Sequence, residues 1–519
     1  MRARWWCWLA AELVAATLFA GCAGFGDEDS AESAEGRPPV VVVVFDEFPT
    51  DDLLGPDGKI DAARFPNFAR LASISTWFPN GHTVYDSTFA AVPSILDGRL
   101  PRPRTAPDVR SHKPSVFHLM HWHGYGVLKV ESATAVCPPM ICPGARTRRP
   151  GVLKRLAGGG RPARFHRWVG AIRRRPEPAF YFHHALTPHE PWIYLPSGRQ
   201  SRPSGKDPVK SINRMPGFDD PALTAHNHLR HLLQVGYTDH QVGELLDRLE
   251  RTGLLEQALV IVTADHGYSF QVGVKSRRLL NERNVEEIAP VPFFVKAPGQ
   301  TEGEVEEGAL RNVDVVATIA DLLDVRVWWK QDGHSAFSEA TRRRKEVALF
   351  TRDYSREVRI GLPELERRRA RWRRRWAELY GTGVESELLY GDPWAMAYRI
   401  GPHPELLDRR VSALRVRRAS TVQAQVANAS LLEDVSPDDP YFPTRVTGPL
   451  RGVPFGEHRN LAVAVNGRIR AVGRSFDVWH KGREYFSFMV PETALRMGRN
   501  ELELFVVRPG GELVPIGAV

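Results

Sequence analysis

Four stretches, far apart in the chain, carry residue types that can do ester chemistry. Val260-Ile261-Val262-Thr263-Ala264 is apolar or β-branched and closes on Asp265-His266-Gly267, the pattern of a buried parallel strand that delivers a carboxylate and an imidazole at its C-terminal tip. Open α/β sheets place their chemistry at such tips. Adjacent Asp and His offer one hard and one borderline ligand to a divalent cation, and Gly267 lets the backbone turn away with no Cβ in the path. Upstream, the run Val40 to Phe45 repeats the pattern and ends in Asp46-Glu47. A third run, Tyr181 to Leu186, carries His183 and His184 and leads into Thr187-Pro188-His189-Glu190-Pro191, a rigid loop holding an imidazole between two prolines. The fourth stretch runs from Thr83 to Gly98, where the hydroxyls of Thr83, Ser87 and Thr88 precede an apolar segment fit to start a helix. A hydroxyl at a helix start is also where an anionic phosphate sits best.

An Asp-His-Gly tripeptide alone is equally a solvated strand end, so the order of parts has to supply the context. That order resembles the alkaline phosphatase superfamily, in particular its sulfatase-like branch, over roughly Pro39 to Ser335. The matching parts are the acidic tip at Asp46, the Pro66-Asn67-Phe68-Ala69-Arg70-Leu71 helix, the hydroxyl-to-Pro93-Ser94-Ile95-Leu96 segment, Pro188-His189-Glu190-Pro191 and Ala264-Asp265-His266-Gly267. Val291 to Gly299 and Asp332-Gly333-His334-Ser335 look similar too. The resemblance implies an α/β fold, a doubly wound and mostly parallel sheet with helices on both faces. It also implies metal-assisted attack by an enzyme nucleophile on a phosphate or sulfate ester. By the same resemblance Asp46, Asp265, His266 and the Thr88 oxygen ligate the metal, Thr88 attacks, and His189 and His184 touch the ester. Thr88 stands five residues before Pro93, a spacing similar to the nucleophile segment of the lipid A phosphoethanolamine transferases; Ser87 and Thr83 are its nearest rivals.

Sulfatases of the main type oxidise a Cys or Ser in a Cys/Ser-x-Pro/Ala-x-Arg motif, and no such motif occupies the Thr83 to Gly98 segment. Cys142-Pro143-Gly144-Ala145-Arg146 is similar in letters, with its proline one place early and on another stretch. Phosphoester chemistry is therefore the expectation. Two-metal members carry Asp-x-x-x-His, whereas Asp239 here is followed by Gly243, and His334 is the nearby candidate for a late histidine ligand. The expected cofactor is one divalent ion, zinc or manganese, with calcium as the alternative.

The elements that must position these residues follow from periodicity. Apolar strand runs alternate with helical stretches from Val40 to about Asp324, as a parallel sheet covered by helices requires. After about Gly401 short runs of period two take over, with a hairpin signal at Asn466-Gly467, and predict a small antiparallel β-sandwich. A scaffolding role for that module is favoured over glycan binding. The boundaries drawn are a leader and linker over 1–37, a catalytic domain with a basic helical extension over 38–400, and the sandwich over 401–519.

The leader combines Arg2 and Arg4 with an apolar stretch from Trp5 to Ala20, interrupted by Glu12, and reads as an export signal. Leu18-Phe19-Ala20-Gly21-Cys22 resembles a bacterial lipoprotein box, so lipid attachment at Cys22 is expected, with secretion or an uncleaved N-terminal anchor as the rivals. Beyond the leader only Cys137 and Cys142 remain, most simply a disulfide formed in an oxidising compartment. The net charge of +9 favours anionic partners, yet no nucleic-acid-binding motif accompanies it. The Arg-rich run from Glu366 to Trp376 reads as a solvated helix face, or as a contact with a membrane surface or anionic polymer. The Pro-, Gly- and Ser-rich stretch from Leu195 to Met215 reads as a surface loop at the rim of the site. Together these point to an exported metal-dependent phosphotransferase or phosphodiesterase acting on an envelope lipid or glycopolymer, associated with the membrane. A sulfate-ester hydrolase and a catalytically silent envelope-binding protein are the alternatives.

Overall fold

Five consecutive valines followed by Phe45 and Asp46 form strand β1 (Val40–Asp46), buried along its whole length. β-branched side chains suit a strand covered on both faces, and β1 is hydrogen-bonded in parallel to β4 (Ala179–Pro188) on one side and β5 (Leu259–Ala264) on the other. The computed structural model describes residues 36–145, 160–202, 220–274, 279–417, 421–478 and 482–518. Among these, β2 (Thr76–Trp77), β3 (Gly126–Val130), β6 (Phe293–Lys296) and β7 (Glu304–Val305) complete a seven-stranded sheet of order β3-β4-β1-β5-β6-β2-β7. β6 runs against both its neighbours while β7 follows β2, so the sheet is parallel apart from one strand.

Alternate residues of β1 enter different cores. Val41, Val43 and Phe45 pack with α1 (Pro66–Ala72), α4 (Arg161–Gly170) and α5 (Pro221–Arg251). Val40, Val42 and Val44 pack with α2 (Thr88–Asp97), α3 (Val116–Trp122) and α6 (Val315–Leu322). This is the doubly wound arrangement expected from the pattern of runs. α5 begins where Asp220 accepts the N–H groups of Ala222 and Leu223 at 2.8 and 3.0 Å, with Pro221 at the first helical position.

Beyond this body, β8 (Glu346–Phe350) and β9 (Glu357–Gly361) form a hairpin leading into α7 (Leu362–Tyr380). The C-terminal region forms two antiparallel-rich sheets. One has the order β14-β15-β11-β10-β18, from Phe476–Val478, Arg483–Met489, Arg445–Arg451, Gln423–Ala424 and Gly517–Ala518. The other has the order β13-β12-β16-β17, from Arg468–Arg474, Asn460–Val465, Leu502–Val507 and Leu513–Pro515. Asn466 and Gly467 join β12 to β13 with φ of 51° and 73°, the positive pair that a two-residue hairpin turn of matching twist demands. The chain from Ala34 to Val519 is one compact unit, and sandwich residues such as Val446 and Phe486 share a core with α5.

Two expectations need amendment. Arg369 and Arg373 of α7 are buried, not solvated, because both grip Asp51, at 3.0 Å each. The described part of the Leu195 to Met215 stretch docks on the sandwich side, with Gln200 exchanging backbone hydrogen bonds with Pro440 and Phe442 and Arg199 stacked over the Phe442 ring; 203–215 lie outside the described residues. Asp239 takes a structural role, accepting the Phe68 N–H and the Asn67 amide at 2.8 and 2.9 Å to close the start of α1. Cys137 and Cys142 form the expected disulfide. Cys22 and the leader lie outside the described residues, and among the described ones no helix is long and apolar enough to cross a membrane.

Candidate active site

The tips of β1, β4 and β5 converge on the start of α2, and this convergence gathers the residues singled out above. Asp46, Asp265 and His266 each offer a ligand atom within 4.8 Å of the others, and all three are buried. Asp46, Glu47 and His189 form a second such group sharing Asp46. The Thr88 hydroxyl, on the first residue of α2, lies 3.5 Å from Asp46 Oδ1 and 3.4 Å from His266 Nε2.

Each side chain is held by its neighbours. Asp265 Oδ1 accepts the backbone N–H groups of Glu47 and His266 at 3.1 and 2.7 Å, while Oδ2 has no hydrogen-bond partner among the described residues. Burial raises the Asp265 carboxyl to about 7, against the opposing pull of the Thr88 hydroxyl and those two N–H groups. His266 Nδ1 lies 2.8 Å from the Gly267 carbonyl. A carbonyl only accepts, so Nδ1 carries the proton and the Nε2 lone pair turns toward Thr88. Gly267 is required by packing: a Cβ there would stand 2.1 Å from the Glu287 carbonyl oxygen.

His189 is presented by a loop with cis peptides at Thr187-Pro188 and Glu190-Pro191. Its Nδ1 lies 2.7 Å from the Glu190 carbonyl, which fixes the tautomer in the same way, and Nε2 faces Glu47 Oε1 at 3.4 Å. Gln234 of α5 donates to the Pro188 and His189 carbonyls at 2.8 and 2.9 Å, and Arg161 donates to those of Leu186, His189 and Glu190. His184 lies on β4 with Nε2 3.9 Å from Asp46 Oδ2, and burial depresses its imidazole to about 4, so it is neutral at neutral pH. His183, next to it, points to the opposite face and packs on Phe165 and Trp168.

Among the sequence candidates, Asp46, Thr88, Asp265, His266, His184 and His189 therefore come together. Of the rivals, Thr83 is committed elsewhere, donating to the Tyr85 carbonyl and accepting from Asn312, and Ser87 is the residue just before α2. His334 is exposed and belongs to neither ligand group. Sequence reasoning left Glu47 undecided and missed Asn312, whose amide reaches the Asp265 carbonyl at 3.2 Å, as well as Gln234 and Arg161. None of these three sits in a motif, and Gln234 shares its helix face with Asn227, Arg230, His231, Thr238 and Gln241, so nothing local singled it out.

Two carboxylates, an imidazole nitrogen aimed by a backbone carbonyl, a hydroxyl and an orphaned buried carboxylate oxygen suit a divalent cation. The sulfatase family model matches residues 163–325, a stretch that holds His184, His189, Asp265 and His266 but neither Asp46 nor Thr88. A choline-sulfatase of Rhizobium meliloti is 23% identical over 56% of this chain and 70% of its own length. An endo-4-O-sulfatase of Bacteroides thetaiotaomicron is 27% identical over 30% of each chain. The solved phosphonate monoester hydrolase of Silicibacter pomeroyi is 17% identical, with a TM-score of 0.40 over 60% of this chain and 79% of that one.

Proposed function

The chain belongs to the sulfatase-like branch of the alkaline phosphatase superfamily, and from that premise we propose that it is an exported, metal-dependent phosphotransferase or phosphodiesterase acting on an envelope lipid or glycopolymer. The observation that carries this reading is the Thr88 hydroxyl, set at a helix start within 3.5 Å of Asp46 and 3.4 Å of His266. Asp46, Asp265, His266 and the Thr88 oxygen would hold one cation, zinc or manganese by the mixed oxygen and nitrogen donor set. Bound there, it supplies charge neutralisation for the ester oxygens and lowers the cost of ionising the hydroxyl.

The protein's own groups do the rest. Thr88 presents its oxygen from the first turn of α2, where backbone N–H groups favour a phosphoryl anion. His189, with Nδ1 committed to the Glu190 carbonyl, offers Nε2 to the ester or its leaving group. His184, neutral and buried beside Asp46, lines the same site without adding charge. A formylglycine route finds no support from the one similar motif, because Cys142 is tied up in the disulfide with Cys137.

A sulfate ester is the second reading, favoured by the sulfatase names of the relatives and by the family match. A panel of chromogenic phosphomonoester, phosphodiester and sulfate esters separates the two. Turnover of a phosphodiester that is lost in Thr88→Ala supports the proposal; turnover of the sulfate ester alone replaces it with the second reading. Export and membrane attachment belong to the same proposal. They predict that Cys22→Ala releases the mature protein from the membrane fraction.

A further inference from the structure

A cavity of about 520 Å³ lies between the α/β body and the sandwich, away from the ligand groups. Its walls are the start of α5, the end of α7, and the facing parts of β13 and β15. Leu229, Phe270, Trp376, Leu379, Phe488 and Met489 make the lining mostly apolar. At its inner side Ser487 is 2.7 Å from His226 Nε2 and accepts from the buried Arg445 guanidinium at 3.3 Å. At the mouth stand the exposed side chains of Arg375, Arg474 and Glu378, so the rim is net cationic.

An apolar chamber with a few convergent polar groups, in the range of roughly 300–1,000 Å³, is the usual form of a small-molecule site. Water gains little from walls with so few partners. The cationic rim selects the sign of the ligand's head group, and the apolar lining of Leu229, Phe270, Trp376, Leu379, Phe488 and Met489 selects a hydrocarbon chain rather than a sugar.

We propose that this cavity binds one amphiphile with a single medium-length acyl chain and an anionic head group, the chain against Phe270, Trp376 and Phe488 and the head group at Arg375 and Arg474. The site is independent of the ester reaction assigned above, because none of the candidate catalytic residues lines it. Phe270 nevertheless lies four residues beyond His266, so the occupied wall continues into the strand tip that carries Asp265.

Calorimetric titration of the full-length protein with dodecanoate, kept below micelle formation, tests this. One saturable site is expected. Ala471→Phe, which places a ring inside the chamber, should weaken dodecanoate at least about tenfold with the melting transition retained. Arg474→Glu, on an exposed side chain that folding does not need, should weaken dodecanoate several-fold and leave uncharged dodecanol unchanged. Absence of saturable binding, or a stoichiometry well above one, overturns the proposal. So does unchanged dodecanoate affinity in Arg474→Glu, and that variant alone decides the matter if Ala471→Phe does not fold.

Discussion

Two buried clusters of the same residue types lie one strand-turn apart and have opposite electrostatics. In the first, Asp46, Asp265 and His266 crowd together with Thr88, and Asp265 keeps an oxygen without a partner while burial raises its carboxyl to about 7. In the second, Asp52 stands between His228 and His231, 3.0 and 2.9 Å away. Burial alone would raise Asp52 as well, but the two imidazoles more than reverse it and hold the carboxyl well below the usual range. His231 also points Nε2 at the Glu47 carbonyl, 3.0 Å away, at a residue whose φ is 62°. The second cluster pairs one carboxylate with two imidazoles and fixes the chain that follows Asp46, although Asp52 Oδ2 and the Nδ1 atoms of His228 and His231 make no hydrogen bond among the described residues. The first sets two carboxylates against one imidazole, an excess of acid that suits a cation.

The largest effect that would sharpen this contrast is on turnover. Thr88→Ala should lower activity by several powers of ten, roughly the loss seen when other catalytic nucleophiles are removed, with the fold and much of the metal retained. Thr88→Ser should recover part of it. Next comes metal: the Asp46→Ala, Asp265→Ala double variant should lose stoichiometric metal on elemental analysis while remaining folded. A folded double variant that kept its metal would move the site elsewhere.

Stability should respond with opposite signs in the two clusters. Asp52→Asn removes the carboxylate oxygens that face His228 and His231 at 3.0 and 2.9 Å and should cost roughly 1–3 kcal/mol in denaturant unfolding. Asp265→Asn, in protein freed of metal by chelation, removes a carboxylate that burial disfavours and keeps the Oδ1 acceptor. It should therefore stabilise, on the order of 1 kcal/mol near neutral pH. Destabilisation by both substitutions to the same degree would erase the distinction.

The smallest effects are in pH. The folded carboxyl of Asp265 binds its proton more tightly than the unfolded one, so its contribution is present below the ordinary value of 3.8 and is lost as pH rises through about 7. His184 binds its proton less tightly when folded, so its contribution is present above 6.5 and is lost as pH falls through about 4. Asp52 behaves as a depressed carboxyl, with stability present above its unfolded value of 3.8 and lost in stronger acid. Chelated Asp265→Asn should thus lose the decline between pH 4 and 7 and keep the acid limb, as read from unfolding midpoints across pH.

How much of this was legible in the sequence follows from the kind of signal involved. β1 and β5 are continuous apolar runs, so the strands, the parallel core and the acids at their tips could be read directly. Asn466-Gly467 dictated its own turn. The second cluster was not legible. Asp52 lies in a short helical turn after β1 and His228 and His231 lie on α5, and nothing local in either stretch says that they meet. The burial of Arg369 and Arg373 was hidden for the same reason: a run of arginines reads as solvated until a distant carboxylate, Asp51, is brought under it. Glu47 remained ambiguous because the geometry that points it toward His189 comes from a left-handed backbone conformation, unusual for a residue other than Gly and not visible in sequence.

The central claim is that Thr88 forms a covalent intermediate, and it can be tested by quenching the metal-loaded protein in acid during turnover of a slow chromogenic phosphodiester and mapping adducts by peptide mass spectrometry. A phosphoryl-type adduct is expected on the peptide containing Thr88, localised to Thr88, and none in Thr88→Ala. An adduct on Ser87 or Thr83, or full turnover by Thr88→Ala, would contradict it.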